Sequence, residues 1–162
     1  METTSSGKIT PFFRFEDLRI YHKSQDYNAW VFRISSKIPP QVNNNILIRF
    51  NDAAHAIACH IAEGSARNKN QFIYYLKMAK SSVRECLVYT ACLRSVGVLT
   101  EEEDEESRNY LMEMTKMIGA LISSLQRGLP GGHEHDGERE HDHDDFDNEF
   151  NGDEPHIHPR RY

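Results

Sequence analysis

Apolar residues recur along this chain at spacings of three and four, the pattern of an amphipathic α-helix that buries one side. The pattern predicts four helices, at about residues 15–38, 46–63, 70–96 and 100–127. No stretch alternates in the manner of a β-strand. Four long helices with short connections predict an all-α fold, an antiparallel up-down-up-down four-helix bundle over residues 14–128.

Local signals mark the ends of these helices. The proline pair at residues 39–40 ends the first helix, since proline cannot continue the hydrogen-bond ladder. Gly64 is expected to stop the second helix in a left-handed conformation, which glycine adopts without a Cβ penalty. Thr100 and Glu103 form a capping box, and the acidic run 101–106 places negative charge at the positive end of the last helix.

The third predicted helix carries its inward residues as a heptad seam, in steps of four and three. Such a seam packs on a neighbouring helix at a shallow crossing angle. Its members are Phe72, Leu76, Ala79, Val83, Cys86, Thr90 and Leu93. The first helix is apolar over a wider surface, which indicates burial on more than one side. Trp30 and Phe32 are therefore predicted to line an interface between copies of the chain.

The two ends of the chain differ in character from the predicted bundle. Residues 1–13 are interpreted as a flexible lead-in, and residues 129–162 as a disordered tail rich in Asp, Glu and His. Residues 1–130 hold 16 basic and 14 acidic side chains, a net charge of +2. Residues 131–162 hold 3 and 11, a net charge of −8. The near-neutral folded part gives no electrostatic signature of nucleic-acid binding.

The cysteines and the apolar runs indicate the compartment. Cys59, Cys86 and Cys92 all lie in helical patterns and are predicted to be small buried hydrophobes in a reducing environment. The N-terminus lacks a basic region followed by an apolar run, and no run approaches the roughly 18 residues needed to cross a bilayer. The expected location is therefore cytoplasmic, with no membrane partner.

Two groups of residues have the chemistry of metal ligands. His55 and Cys59 lie four apart with His60 adjacent, a spacing that can present two zinc ligands from one helix face. Local sequence fixes no further ligand, so packed core or interface residues are the favoured interpretation. Six histidines of the tail alternate with acids and could bind zinc, nickel or copper adventitiously, but a solubilising or partner-docking tail is favoured. No metal site and no cofactor are predicted.

The junction of the second and third helices carries a motif that resembles a known family. The motif comprises His60-Ile61-Ala62-Glu63-Gly64, then Arg67, Phe72, Leu76, Ala79, Ser82, Val83 and Glu85. With Phe15-Glu16-Asp17-Leu18 near the start, and Gly97, Leu99 and Thr100 before the last helix, it resembles the four-helix-bundle proteins encoded in intervening sequences of bacterial 23S ribosomal RNA genes. The similarity covers about residues 13–127.

The resemblance implies a left-handed bundle assembled as a homopentamer and no enzymatic activity. The chain is also similar to the accessory protein of diversity-generating retroelements, a basic pentamer that binds nucleic acid and a reverse transcriptase. The loss of two arginines weakens phosphate contacts carried over from that similarity, and a second departure lies in the corner motif itself. Asn51 and Asp52 stand where the family often has two arginines, and His60 stands where it has asparagine.

Charged residues of the motif have structural interpretations. Glu63 and Arg67 are four apart and are expected to pair across the corner, while Glu85 is expected to be partly buried beside a polar partner. Acid–base catalysis is the weak alternative, since no second acid, nucleophile or pocket is indicated. No catalytic residue is predicted.

A basic outer face of the third helix suggests the leading function. Its members are Lys69, Lys77, Lys80, Arg84 and Arg94. On a symmetric ring each charge repeats around the axis, so a modest stripe becomes a large patch. The predicted function is a non-enzymatic oligomeric scaffold, with a nucleic-acid-binding accessory role as its leading form. The alternative is a protein-binding adaptor whose acidic tail recruits a basic partner.

Overall fold

The computed structural model describes residues 12–39, 41 and 44–128, which form four long helices after one 3₁₀ turn. The helices are α1 (Arg19–Lys37), α2 (Asn44–Ser65), α3 (Lys69–Ser95) and α4 (Glu101–Arg127). The described part of the chain contains no strand, so the predicted all-α fold is confirmed. The predicted tail, and the lead-in up to residue 11, lie outside the described residues.

The helices form a bundle in which each one packs against two neighbours. α2 contacts α1 and α3, and α4 contacts α3 and α1. The ends of α3 and α4 fix their relative direction. Lys69 Nζ donates to the carbonyl oxygen of Gly128 at 2.9 Å, and Arg94 pairs with Glu101 at the opposite end. These two contacts make α3 and α4 antiparallel, in agreement with the predicted up-down topology.

One apolar cluster fills the space between the helices. Its largest fully buried side chains include Tyr27, Phe50, Ile57, Ile61, Leu76, Leu93, Leu111, Met114 and Ile118. Full burial of a large apolar side chain contributes about 1.5–3 kcal/mol each, which makes this cluster the main source of stability. Ala53, Ala54 and Ala58 are also buried, and their small side chains allow close approach to α2.

The first helix begins later than the sequence predicted. Residues Arg14–Asp17 form the 3₁₀ turn, and Leu18 is extended, with ψ of 121°, before α1 starts at Arg19. An extended residue interrupts a helix, so the turn and α1 are separate. Aromatic contacts connect them, because the Phe15 and Tyr21 rings lie 4.8 Å apart.

The polar caps of α3 and α4 satisfy backbone groups that the helices leave open. Thr100 accepts from the Glu103 amide at 3.2 Å, and the Glu103 carboxylate accepts from the Thr100 amide at 3.0 Å. The predicted capping box is thus confirmed. Asn68 caps α3 in the same sense, accepting from the Gln71 amide at 3.0 Å.

The expected stop at Gly64 is wrong. α2 continues through Gly64 to Ser65, and among the described glycines a positive φ is found at Gly97, which has φ of 75° just after α3. α2 ends by tightening of its last turn, as the Arg67 amide donates to the Gly64 carbonyl at 3.0 Å. The Ser65 hydroxyl donates to the Ala62 carbonyl at 2.7 Å. Capping of α2 therefore needs no left-handed residue at position 64.

Candidate functional site

The corner between α2 and α3 is built around the missing side chain of Gly64. A Cβ at this position would lie 2.6 Å from Cβ of Tyr75 and 2.8 Å from Cδ2 of Phe72. Real Cβ atoms do not approach other carbons this closely, so only glycine fits between α2 and the first turns of α3. The motif glycine thus sets how near the two helices lie.

The charged pair of the motif lies on the outer side of this corner. Arg67 Nε donates to Glu63 Oε1 at 2.9 Å, and Arg67 Nη2 contacts the same oxygen. The hydrogen bond to Glu63 raises the pKa of Arg67, with a smaller contribution from Tyr75. This is the predicted pairing across the corner. Both side chains are about half exposed, so solvent screens the pair and its contribution to stability is small.

The remaining motif residues divide between the core and the surface. Leu76 and Ser82 are buried, and Phe72 packs against the core cluster. The Ser82 hydroxyl donates back to the Met78 carbonyl at 3.4 Å. Glu85 is exposed, so the expectation that it is partly buried is wrong. It lies away from the inward seam, where its charge remains solvated and needs no partner.

The predicted basic face lies along the edge of α3 that borders α4. Lys69 and Arg94, at its two ends, are engaged by α4 through Gly128 and Glu101. The middle of the face consists of Lys77, Lys80 and Arg84 at steps of three and four. Lys77 and Arg84 are exposed and Lys80 is half-buried. Because residues at this spacing are neighbours on a helix, these three cations form one short stripe.

Exposed apolar side chains also follow the outer side of α3, a feature that sequence reasoning missed. They are Tyr74, Met78, Val88 and Val96. Tyr74 and Val88 are fourteen residues apart, which places them on the same side of the helix. The signal that could have revealed these residues is that they are apolar but fall outside the inner seam of α3.

The two predicted interface residues have different environments. Trp30 is only 2% exposed and stacks on Tyr27 at 5.6 Å, with Tyr110 at 6.5 Å. Its apolar surface is therefore covered within the protomer. Phe32 is 67% exposed. The predicted contact between copies thus depends on Phe32 and stays a prediction.

The three cysteines are not equivalent, which corrects the prediction that all are buried. Cys86 is buried against the core, whereas Cys59 and Cys92 are exposed because they lie on the outer sides of α2 and α3. Burial raises the pKa of the Cys86 thiol to about 12, so it remains protonated and unreactive at neutral pH. Burial also lowers the pKa of His60, which is half-buried beside Tyr75.

The candidate metal ligands and one cleft can be placed in the described part of the chain. Among the described residues, no three His, Cys, Asp or Glu side chains are grouped to hold a metal ion. His55 Nδ1 instead donates to the Asn51 carbonyl at 2.8 Å. A shallow cleft of about 250 Å³ opens at the end of α1. Its lining is mostly apolar, with one cation and one carboxylate: Ile34, Lys37, Ile38, Pro39, Gly97, Val98, Leu99 and Glu103. The lining contains no Ser, Thr, Cys or His.

The fold and the corner motif define a small helical-bundle protein with one basic, partly apolar outer helix. Residues 16–120 match the family described as 23S rRNA-intervening sequence protein. The match spans well over half of the chain, which therefore belongs to this family, as the motif resemblance indicated. No curated protein is similar enough to this sequence to count as a match.

A solved structure shares the fold. It is the crystal structure of a protein with unknown function from the S23 ribosomal protein family of Bacteroides thetaiotaomicron. The two chains superpose with a TM-score of 0.58 and 18% sequence identity, covering 64% of this chain and 95% of that one. At this identity the similarity establishes the fold alone. Within the described residues, no helix has the length and apolar character required to cross a membrane.

Proposed function

We propose that this chain is a non-enzymatic cytoplasmic scaffold that binds nucleic acid through the middle of the basic face on α3. The observation that carries the proposal is the stripe formed by Lys77, Lys80 and Arg84. From Lys69 to Arg84 the helix contains no Asp or Glu, so the charged side chains of this segment are all basic. Such a stripe suits a row of backbone phosphates.

The charge of the individual helices supports this location. α3 holds five basic residues and one acid, a net charge of +4, while α4 holds three basic residues and seven acids, a net charge of −4. The attraction for a polyanion such as nucleic acid is therefore confined to α3. With a net charge of only +2 over residues 1–130, binding should be weak and should fall steeply as salt rises. The absence of arginines at Asn51 and Asp52 favours weak binding as well.

Self-association would multiply this stripe. A closed homo-oligomer repeats each stripe around its axis, and the family resemblance suggests five copies. The exposed Phe32 supports a contact between copies. Light scattering at micromolar concentration tests this, and Phe32→Gln should shift the protein towards monomer. Another exposed apolar residue, Met112, provides the control Met112→Gln. A monomeric wild-type protein would refute the oligomer.

Fluorescence anisotropy with labelled oligonucleotides tests the binding site. Replacing Lys77, Lys80 and Arg84 with alanine should weaken binding about tenfold or more at low salt, equally for different sequences. The matched control replaces three exposed cations elsewhere, Arg33, Lys37 and Lys116, and so removes the same total charge. The affinity of the α3 variant should also depend less on salt: the slope of log K against log salt should become shallower by about 2–3 units, one contribution for each lost phosphate contact. The control variant should keep the wild-type slope. Equal effects of both triple variants would refute a site on α3.

Removal of the acidic tail provides a second test of the binding site. Truncation after Gly128 removes a net charge of −8, and binding should then tighten because a tethered polyanion no longer competes for the stripe. A tailless protein that binds neither RNA nor DNA at low salt would support the other candidate, a protein-binding adaptor. The exposed apolar row of α3, which includes Met78 and Val88, is the observation that favours that candidate.

A further inference from the structure

Tyr74 presents an aromatic ring to solvent from a rigid position. Its side chain is 60% exposed and meets the Tyr75 ring edge to face, with centroids 5.7 Å apart and planes at 82°. Tyr75 is half-buried and packs directly against Gly64 in the corner. A ring supported in this way on a long helix loses little conformational entropy when it makes a contact.

The surroundings of this ring are cationic. Lys77 follows Tyr74 by one helical turn, and Lys80 and Arg84 continue along the helix. Side chains three and four residues apart have Cβ atoms roughly 5–6 Å from one another, so the ring and the first lysine are immediate neighbours. The ring therefore lies at the start of the α3 stripe.

We infer that Tyr74 is a stacking platform for a base of single-stranded nucleic acid, an inference that rests on the proposed function of α3. Stacking on an aromatic side chain, together with phosphate contacts from nearby cations, is the chemistry by which proteins hold single strands without sequence preference. A paired base has its faces covered by neighbouring pairs, whereas an unpaired base can meet the ring. The ligand class is thus a single strand, RNA or DNA.

A protein partner would use the same residue differently. It would cover Tyr74 together with its apolar neighbour Met78, which lies one turn further along α3 and is 37% exposed. A methionine contributes apolar area but offers no flat face to a base. The position of Lys77 one turn from Tyr74, and the absence of Asp and Glu from the part of α3 before Glu85, favour the polyanionic ligand. Replacing Tyr74 and Met78 in separate variants therefore distinguishes stacking on a base from apolar contact with a protein.

The test measures binding of the full-length protein to a labelled single-stranded RNA, the DNA of the same sequence, and the RNA duplex, all at low salt. Tyr74→Ala should weaken single-strand binding about tenfold, as expected for the loss of one stacked base, while Tyr74→Phe should bind as the wild type does. Met78→Ala should have little effect. With 2-aminopurine in the strand, wild-type protein should change its fluorescence and Tyr74→Ala should not. The RNA and DNA arms identify the source of the strand.

The outcomes separate the inference from the function on which it depends. Absence of binding by wild-type protein to any of the three oligonucleotides would overturn the proposed function itself. Binding that survives Tyr74→Ala unchanged, or a loss that is equal for duplex and single strand, would overturn the stacking role alone. Equal losses in Tyr74→Ala and Met78→Ala without a 2-aminopurine signal would do the same, and would favour a protein-docking surface.

Discussion

The hydroxyl of Tyr27 on α1 lies 2.9 Å from the hydroxyl of Ser107 on α4, and both residues are fully buried. The hydrogen bond joins two helices that are far apart in sequence. Desolvation raises the pKa of Tyr27, so the phenol stays neutral throughout the ordinary pH range. The Tyr27 hydroxyl also interacts with the Cys86 thiol, but a thiol is a weak hydrogen-bonding group, so Ser107 is its main polar partner in the apolar core.

Tyr27→Phe should therefore lower the free energy of unfolding by about 1–2 kcal/mol, because it leaves the Ser107 hydroxyl buried without this partner. Tyr110→Phe, in the same aromatic cluster, is the control and should have a smaller effect. In urea denaturation, the double variant Tyr27→Phe/Ser107→Ala should cost less than the sum of its single changes. Strict additivity would show that the two hydroxyls do not depend on each other.

Gly64→Ala should destabilise the fold by about 1–3 kcal/mol, because the new methyl group would overlap Tyr75 and Phe72 at the corner. Gly119, within α4, is the matched control: a Cβ there meets nothing within 4 Å. Gly119→Ala should stabilise by about 0.5–1 kcal/mol, since alanine is the better helix former. Thermal or urea unfolding of both variants measures these two changes in the free energy of unfolding, which should have opposite signs. Equal effects of the same sign would show that the corner tolerates a side chain.

The three cysteine thiols should react with a thiol reagent at two different rates, fast when exposed and slow when buried. Cys59 and Cys92 are exposed and should be modified quickly by a thiol reagent in native protein, whereas buried Cys86 should react only after unfolding. Counting released chromophore before and after addition of denaturant should give two thiols and then the third. Cys86→Ala should abolish the slow class alone. Rapid modification of three thiols in native buffer would contradict the buried environment of Cys86.

His60 should contribute to acid destabilisation. Burial lowers its folded-state pKa below the unfolded value near 6.5, so the unfolded chain binds the proton first as pH falls. Its contribution to stability is thus present above pH 6.5 and is lost below it. His60→Asn, which restores the family residue, should show a smaller loss of stability between pH 7.5 and 5.5 than wild type. If the stability of His60→Asn fell with pH as steeply as that of wild type, burial of His60 would not be the origin of the effect.

The sequence was most informative where local chemistry decides the structure. The four helices follow from apolar periodicity, and the capping box at Thr100 and Glu103 follows from short-range hydrogen bonding. The corner motif identified the family, since its residues occur in order at defined spacings. Each of these features depends on residues within a few turns of one another.

Features that depend on distances between helices were predicted less well. The need for glycine at position 64 comes from Tyr75 and Phe72 on the next helix, so sequence alone suggested a conformational reason that is wrong. Cys59 and Cys92 fit helical patterns but lie on outer faces, and Trp30 is covered by Tyr110 from α4. For the basic face, the sequence placed the residues on one helix, but it did not show that α4 engages Lys69 and Arg94.

Trp30 gives the protein an internal optical probe. It is the single tryptophan of the chain, and it is enclosed between Tyr27 and Tyr110, where α1 meets α4. Its emission should therefore be that of an indole shielded from water and should shift to longer wavelength when these helices separate. α3 provides neither of the rings that enclose it, so a ligand bound on the outer face of that helix should leave its spectrum unchanged. Tryptophan emission can thus report whether a variant of α3 is folded in the same cuvette in which an oligonucleotide label reports whether it binds.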